Sequence, residues 1–337
     1  MAASSRTDAE VCATLDTVEN AAATPGEKAE MLMEIAMGLQ LRPRLASDIT
    51  AARDLYRKAL TLVPPGDALL AARIRTRLAT VLMAMATDDP AELEAARTEM
   101  ETALATLVAE GAGAEVAEAE MNLGLILQNL AGMNRARITD AISAYQRALR
   151  TFDKAGYPKE FAILQNNLAT AFMSIPFTPE SGKMREALAV RAFEEGLTVV
   201  TLIDYPVEYA MLQNNLGNAL QYVSSSHRIE NHFRAIEAYD QALKVRNRHD
   251  MPEEYANTIA NKANCLANMP DDAETPEFGN PGNLIKAIDL LAEAMQIFQD
   301  RGVHDKAGSV GEAIAELRAE HKAGRTSGSG LPSRSNG

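Results

Sequence analysis

The sequence predicts an all-α chain built from stacked helix pairs, and three observations carry that prediction. First, a phrase repeats. Tyr157-Pro158-Lys159-Glu160-Phe161-Ala162 leads into Leu164-Gln165-Asn166-Asn167-Leu168-Ala169, returns as Tyr205-Pro206-Val207-Glu208-Tyr209-Ala210 with Leu212-Gln213-Asn214-Asn215-Leu216-Gly217, and recurs blurred as Met251-Pro252-Glu253-Glu254-Tyr255-Ala256 with Asn261-Lys262-Ala263-Asn264, at steps of 48 and 46 residues. Self-similarity at such a period means stacked units that cannot bury their apolar faces alone. Second, a small–large apolar pair recurs at Ala59-Leu60, Ala103-Leu104, Ala148-Leu149, Gly196-Leu197, Ala242-Leu243 and Ala294-Met295, at steps of 44 to 52 residues. Third, the chain is 47% hydrophobic but only 5% aromatic and lacks Trp; Ala, Leu and Met supply the apolar mass and favour close-packed helices over sheet.

Each unit reads as two helices. Pro158, Pro206 and Pro252 stand at helix starts, where a missing N–H is tolerated, and the Glu residues just after them suit the positive end of the helix dipole. First helices are expected near 27–40, 67–86, 114–131, 158–174, 206–223 and 252–268. Second helices are expected near 48–63, 91–110, 138–153, 184–202, 231–247 and 283–300; in the third of these, Ile142, Tyr145 and Leu149 share a face. A more charged helix near 303–321 would cap the exposed end. Residues 1–26 read as a loosely ordered N-terminal segment, 27–322 as the stack, and 323–337 as a disordered, Gly/Ser-rich tail. Pro/Gly-rich insertions at 174–183 and 270–282 coincide with the longer steps.

A net charge of −13 argues against nucleic acid and anionic membranes as main partners. The N-terminus lacks the continuous apolar core of a signal peptide. No stretch approaches the roughly 18 apolar residues of a membrane span. Cys12 and Cys265 are too few and too far apart in sequence for a disulfide framework or zinc spacing, which fits a reducing cytoplasm.

Leu216-Gly217 with Leu220, followed by Ala235, Tyr239, Ala242 and Leu243, resembles the tetratricopeptide repeat (TPR): Leu-Gly/Ala on helix A with a large residue one turn later, then Ala-x-x-x-Tyr/Phe-x-x-Ala-Leu on helix B. The units are longer than the familiar one of about 34 residues. They look like the extended version in kinesin light chains and related bacterial proteins, although Gln165 and Gln213 stand where that family carries a helix A Trp. The likeness covers about 27–320 and is strongest over 114–300. It implies a right-handed superhelical solenoid of about six TPR-like hairpins with a C-terminal capping helix. It also implies a bacterial cytoplasmic adaptor or scaffold, not an enzyme and without cofactor, that holds a protein or peptide segment in a concave groove lined by the A helices. The alternative is an accessory, chaperone-like or regulatory subunit that docks on a folded enzyme.

Aligning the first helices puts Arg77, Asn122, Asn167, Asn215 and Asn261 in one column, with Thr80, Leu125, Thr170, Asn218 and Asn264 three residues further on. Asn in mid-helix costs stability because its side chain competes for backbone hydrogen bonds. An amide can also grip the backbone of any extended peptide. The position before the first column reads Thr76, Met121, Asn166, Asn214 and Ala260. By resemblance, Asn122, Asn167, Asn215, Asn218, Asn261 and Asn264 are candidate partner-binding residues; the other reading is that one Asn of each Asn-Asn pair bonds the adjoining repeat and sets the stacking angle. Residues 42–77 reverse the chain's charge, with eight basic residues against Asp48, Asp54 and Asp67. Arg73 and Arg77, four apart on one face, are candidates to hold an acidic group or chain terminus of the partner. The alternatives are a solvated face, or ion pairs with the acidic stretch Glu92–Glu120.

Other residues point nowhere catalytic. His227 and His232 lie five apart, off helix-face spacing, and no metal motif is present. Gly182-Lys183 lacks the rest of a phosphate loop. Cys265 aligns with Val81, Ile126, Ala171 and Ala219, which marks it as a packing residue.

Overall fold

The computed structural model describes residues 2–86, 90–176, 178, 181–223, 227–275 and 279–328. The described residues form fourteen helices and no strand. They divide into two compact units, Met1–Tyr157 and Pro158–Gly337.

The first unit holds α1 (Ala2–Glu19), α2 (Pro25–Leu41), α3 (Ala46–Leu62), α4 (Ala68–Met85), α5 (Pro90–Glu110), α6 (Gly113–Gly132) and α7 (Ile138–Ala148). The second holds α8 (Pro158–Met173), α9 (Ser181–Leu197), α10 (Pro206–Tyr222), α11 (Arg228–Leu243), α12 (Pro252–Ala267), α13 (Pro281–Asp300) and α14 (His304–Gly328). The first helices fall within about two residues of the expected spans. Where a loose N-terminal segment is expected, the chain forms α1, which rests on α2 and α3 and buries Val18. The final helix runs on to Gly328, beyond the expected end of the cap; residues 329–337 of the expected tail lie outside the described residues.

Local chemistry fixes the helix starts. Thr24 and Glu27 form a capping box: the Thr24 N–H donates to Glu27 Oε2 (2.7 Å) and the Glu27 N–H to Thr24 Oγ1 (3.3 Å). Asp67 accepts from the Leu70 N–H at 3.0 Å at the head of α4. Asp271, in the Pro/Gly-rich insertion, accepts from the N–H groups of Gly282 (2.7 Å) and Asn283 (2.6 Å) and so caps α13 from a distance. Past the other end of α13, Gly302 takes φ +73°, the left-handed turn that ends a helix without a Cβ penalty.

Three second helices stop short of their expected ends: α7 at Ala148, α9 at Leu197 and α11 at Leu243. The chain then tightens into i→i+3 turns, with the Thr151 N–H donating to Ala148 O, Val199 to Gly196 O and Val245 to Ala242 O. The turn folds Phe152, Val200 and Arg246 back into buried positions that a continuing helix would carry away from the stack.

Within each pair, a small residue on the first helix admits a large one from the second. A Cβ on Gly124 would lie 2.3 Å from Tyr145 Cε1, and one on Gly217 would lie 2.7 Å from Tyr239 Cε1. Tyr56, Tyr145 and Tyr239 are fully buried, and each hydroxyl finds an amide on the first helix of its own pair. Tyr56 donates to Gln40 Oε1 (3.0 Å), Tyr145 to Gln128 Oε1 (2.9 Å) and Tyr239 to Asn218 Oδ1 (2.7 Å), while Gln221 Nε2 donates to the Tyr239 oxygen. Stepping along the chain, the remaining second helices place apolar Met100, Phe193 and Leu291 there, opposite apolar Met83, Met173 and Ala267. Each such buried side chain contributes about 1.5–3 kcal/mol of transfer free energy.

Pairs join in two ways. The second helix of one pair meets the first of the next (α3 with α4 and α5 with α6; α9 with α10 and α11 with α12). First helices also meet first helices: α2 with α4 and α4 with α6 in one unit, α8 with α10 and α10 with α12 in the other. No comparable packing links second helix to second helix among the described residues. The first helices of each unit therefore converge, and their remaining face forms that unit's inner surface. Helix α14 closes the second unit by laying Ile314 against Ala263, Ala287 and Leu291.

Candidate partner-binding face

In the first unit the inner face is a lattice of ions. Arg73 Nε donates to Glu115 Oε1 (2.6 Å) and its Nη2 to Glu115 Oε2 (3.4 Å); Arg77 Nη1 donates to Glu118 Oε1 (3.0 Å). Both ion pairs bridge α4 to α6, and Arg75, on another face of α4, pairs with Glu99 of α5. The Arg73 guanidinium, and then the Ala112 N–H, hold the Glu115 carboxyl below the usual carboxylate range. One helix back, Gln40 Nε2 donates to Thr80 Oγ1 at 2.8 Å and links α2 to α4. Between α2, α4 and α6 lies a cleft of about 280 Å³, with Met33, Met37, Thr76 and Leu107 beside the two arginines. Asn122 on α6 is half-buried and makes no side-chain hydrogen bond among the described residues.

In the second unit the inner face is a chain of amides. Asn261 Nδ2 donates to Asn214 Oδ1 (3.3 Å), Asn214 Nδ2 to Asn215 Oδ1 (2.9 Å), Asn215 Nδ2 to Asn166 Oδ1 (2.8 Å), and Asn166 Nδ2 to Asn167 Oδ1 (3.3 Å). Five side chains from α12, α10 and α8 thus run head to tail, each amide giving to the next. Asn166, Asn167 and Asn214 are buried, which removes most of their competition from water. Asn218, one turn further along α10, accepts from the Tyr239 hydroxyl.

Asn264 is exposed and its side chain has no partner. It lies on the wall of a cleft of about 330 Å³ between α10, α11, α12 and α14, beside Arg228, His232 and Asn268. His232 is buried with Nδ1 at 2.7 Å from the Arg228 carbonyl. Cys265 packs behind it, its Sγ 3.5 Å from the His232 carbonyl, and burial pushes its thiol up to about 12. That is an inert thiol rather than a nucleophile.

Among the candidates read from the sequence, Asn215 and Asn261 bond across to the preceding first helix, and Asn167 accepts from Asn166 of its own helix at the end of the same amide chain. Arg73 and Arg77 come together with Glu115 and Glu118. Asn122, Asn218 and Asn264 keep amide groups unspent. The sequence reading allowed one Asn of each doublet to bond the adjoining repeat without saying which; the acceptors are Asn166 and Asn214. It named the acidic stretch but not Glu115 and Glu118 as the specific partners of the arginines. A signal existed for the acceptors: only α8 and α10 carry an Asn-Asn doublet, and a doublet offers one amide toward each neighbouring helix. Among the described residues no helix is long and apolar enough to cross a membrane, and no group of three or more His, Cys, Asp or Glu is placed to hold a metal ion.

No family model and no curated protein matches this chain. Solved structures do. The apo form of RapI aligns with a TM-score of 0.53 at 13% identity, over 88% of this chain and 99% of RapI. A Rap protein complexed with Competence and Sporulation Factor aligns with a TM-score of 0.49 at 12% identity, over 92% and 80%. PilF of Pseudomonas aeruginosa aligns with a TM-score of 0.46 at 18% identity, over 87% and 93%. The likeness to RapI shows the fold alone: an all-α stack of helical repeats.

Proposed function

We propose that the chain is a protein–protein interaction scaffold, an adaptor that holds a segment of a partner protein along the inner faces of its first helices. The observation that carries this reading is the convergence of first helices on first helices within each unit. It leaves on each unit a surface that carries side chains with unspent hydrogen-bonding groups, Asn122 in the first unit and Asn218 and Asn264 in the second. The action is recognition, with no bond made or broken. The acidic handle expected from the sequence is not carried forward, because Glu115 and Glu118 already hold the two guanidiniums it would need.

The test is differential capture. Tagged wild-type chain and the variant Asn122→Ala/Asn218→Ala/Asn264→Ala are used to enrich partners from a lysate of the source cells, with quantitative mass spectrometry. A partner lost with the variant, and kept by a variant of equal size on the outer helices, supports the reading. Identical capture by all three chains overturns it.

A second reading, an accessory subunit that docks on a folded enzyme, is supported by one feature. Thr201–Asp204 forms a tight turn, in which the Thr201 N–H donates to Asp204 O (2.8 Å) and Thr201 Oγ1 accepts from the Ile203 and Asp204 N–H groups. The turn holds Ile203 89% exposed, with Leu202 and Val207 beside it in sequence also open to solvent. Ile203→Asp would abolish a rim-docked complex and spare one held on the inner face.

A further inference from the structure

We propose, building on the adaptor reading, that the cleft of the first unit is shaped for a basic residue flanked by apolar ones, and so selects a cationic amphipathic segment. Three carboxylates, Glu34, Glu115 and Glu118, line the cleft with two guanidiniums. Glu115 and Glu118 of α6 bind Arg73 and Arg77, which satisfies both cations. Glu34 of α2 also lines the cleft and Glu30 stands one turn before it; both are exposed and form no ion pair among the described residues. The surplus charge facing the cleft is therefore negative.

The apolar part is equally defined. Met33 and Met37, four apart on α2, share a face above buried Leu107. Their thioethers adapt to irregular apolar shapes. A volume of about 280 Å³ lies just below the roughly 300–1,000 Å³ range of small-molecule pockets, which suits one long side chain of an extended segment. A Lys or Arg side chain lays its methylene stem on the methionines and brings its charge to Glu34. An acidic side chain in the same place would have to displace Glu115 from a two-bond contact with Arg73 while facing Glu34 and Glu118.

The experiment uses the full chain and three fluorescein-labelled probes: a short peptide of alternating Lys and Leu, the same peptide with Glu for Lys, and a third with Gln for Lys. Fluorescence anisotropy should show the Lys peptide bound and the Glu peptide not bound. Glu30→Gln/Glu34→Gln should weaken the Lys peptide by about fivefold, the scale of one exposed ion pair. Added salt should weaken it further, as screening shortens the reach of exposed charges. The control Glu312→Gln/Glu320→Gln, an equal charge change on α14, should leave binding unaltered. Circular dichroism checks that each variant is folded. Preference for the Glu or Gln peptide, equal weakening by the control, or indifference to Glu30→Gln/Glu34→Gln would overturn the proposal. The capture experiment is separate. Loss of a partner there, with no discrimination among the three probes, would leave the adaptor reading standing and remove only the charge assignment.

Discussion

Replacing Asn166 by Ala is the sharpest test of what the amide chain does. Asn166 accepts from Asn215 Nδ2 at 2.8 Å and donates to Asn167 Oδ1 at 3.3 Å, so one truncation removes two hydrogen bonds. Asn167 is only 7% exposed and its Nδ2 already has no partner, so after the substitution neither end of that buried amide is satisfied. The bonds count about 1 kcal/mol each and a stranded buried carbonyl about 1–3 kcal/mol; with one bond long, the sum is about 2–4 kcal/mol. Asn264→Ala, at an exposed and unpartnered side chain, should stay within about 0.5 kcal/mol of the parent. Urea unfolding gives the overall cost. Hydrogen exchange locates it, which matters because stacked repeats open locally. Faster exchange in α8 and α10 is the expected signature. A parent-like midpoint, with exchange unchanged in both helices, would refute the view that these amides join the first helices. A loss of partner binding without loss of stability would assign them to the groove instead.

Three further outcomes follow from the packing. Gly124→Ala places a methyl 2.3 Å from the Tyr145 ring and should cost at least about 1–3 kcal/mol by thermal unfolding; an unchanged midpoint would mean α6 and α7 can part freely. Tyr145→Phe should cost about 1 kcal/mol for its lost bond to Gln128, whereas Phe193→Tyr should cost about 1–3 kcal/mol by burying a hydroxyl where stepping along the chain puts Met173 rather than an amide. Burial raises the Tyr56 hydroxyl to about 12 and drives those of Tyr145 and Tyr239 above their usual range as well. A raised folded pKa stabilises the fold below the unfolded value of about 10 and loses that contribution as pH climbs beyond it, so these three tyrosines should ionise only with alkaline unfolding. Ultraviolet titration showing all eight tyrosines ionising near 10 with the fold intact would contradict the burial argument.

The helix pairs were legible because their signals are local and repeated. Pro at a helix start, a Leu-Gly or Leu-Ala step opposite a Tyr or Phe, and a step near 46 residues each report the same architecture. What escaped was decided by contacts distant in sequence or by turns. Helix α7 carries a good helical pattern to 153, yet it ends at Ala148 because burying Phe152 in the returning turn outweighs a few more residues of helix. Helix α1 is polar and rich in Ser and Thr, and its Val18 is buried only because α2 and α3 lie beneath it. Propensity alone is silent on such docking.

The site residues show a different limit. An Asn column announces that amides face a shared surface, but an amide donates and accepts equally well, so its type says nothing about whether the partner is a ligand or the next helix. What decides is whether a neighbouring helix offers a second amide at the right offset. Asn166 and Asn214 do so in the second unit; Thr76 and Met121, in the same column of the first unit, do not. There the joint is ionic, and Arg77 reaches Glu118 rather than a side chain in its own column. The inner face of the second unit is thus held together by neutral amides and that of the first by charges. The two joints should respond differently to salt, with the α4–α6 contact weakening as ionic strength rises while the α8–α10–α12 contact holds. Hydrogen exchange of α6 and α10 measured across a salt series separates them, and parallel loss of protection in both helices would show that charge does not set the difference.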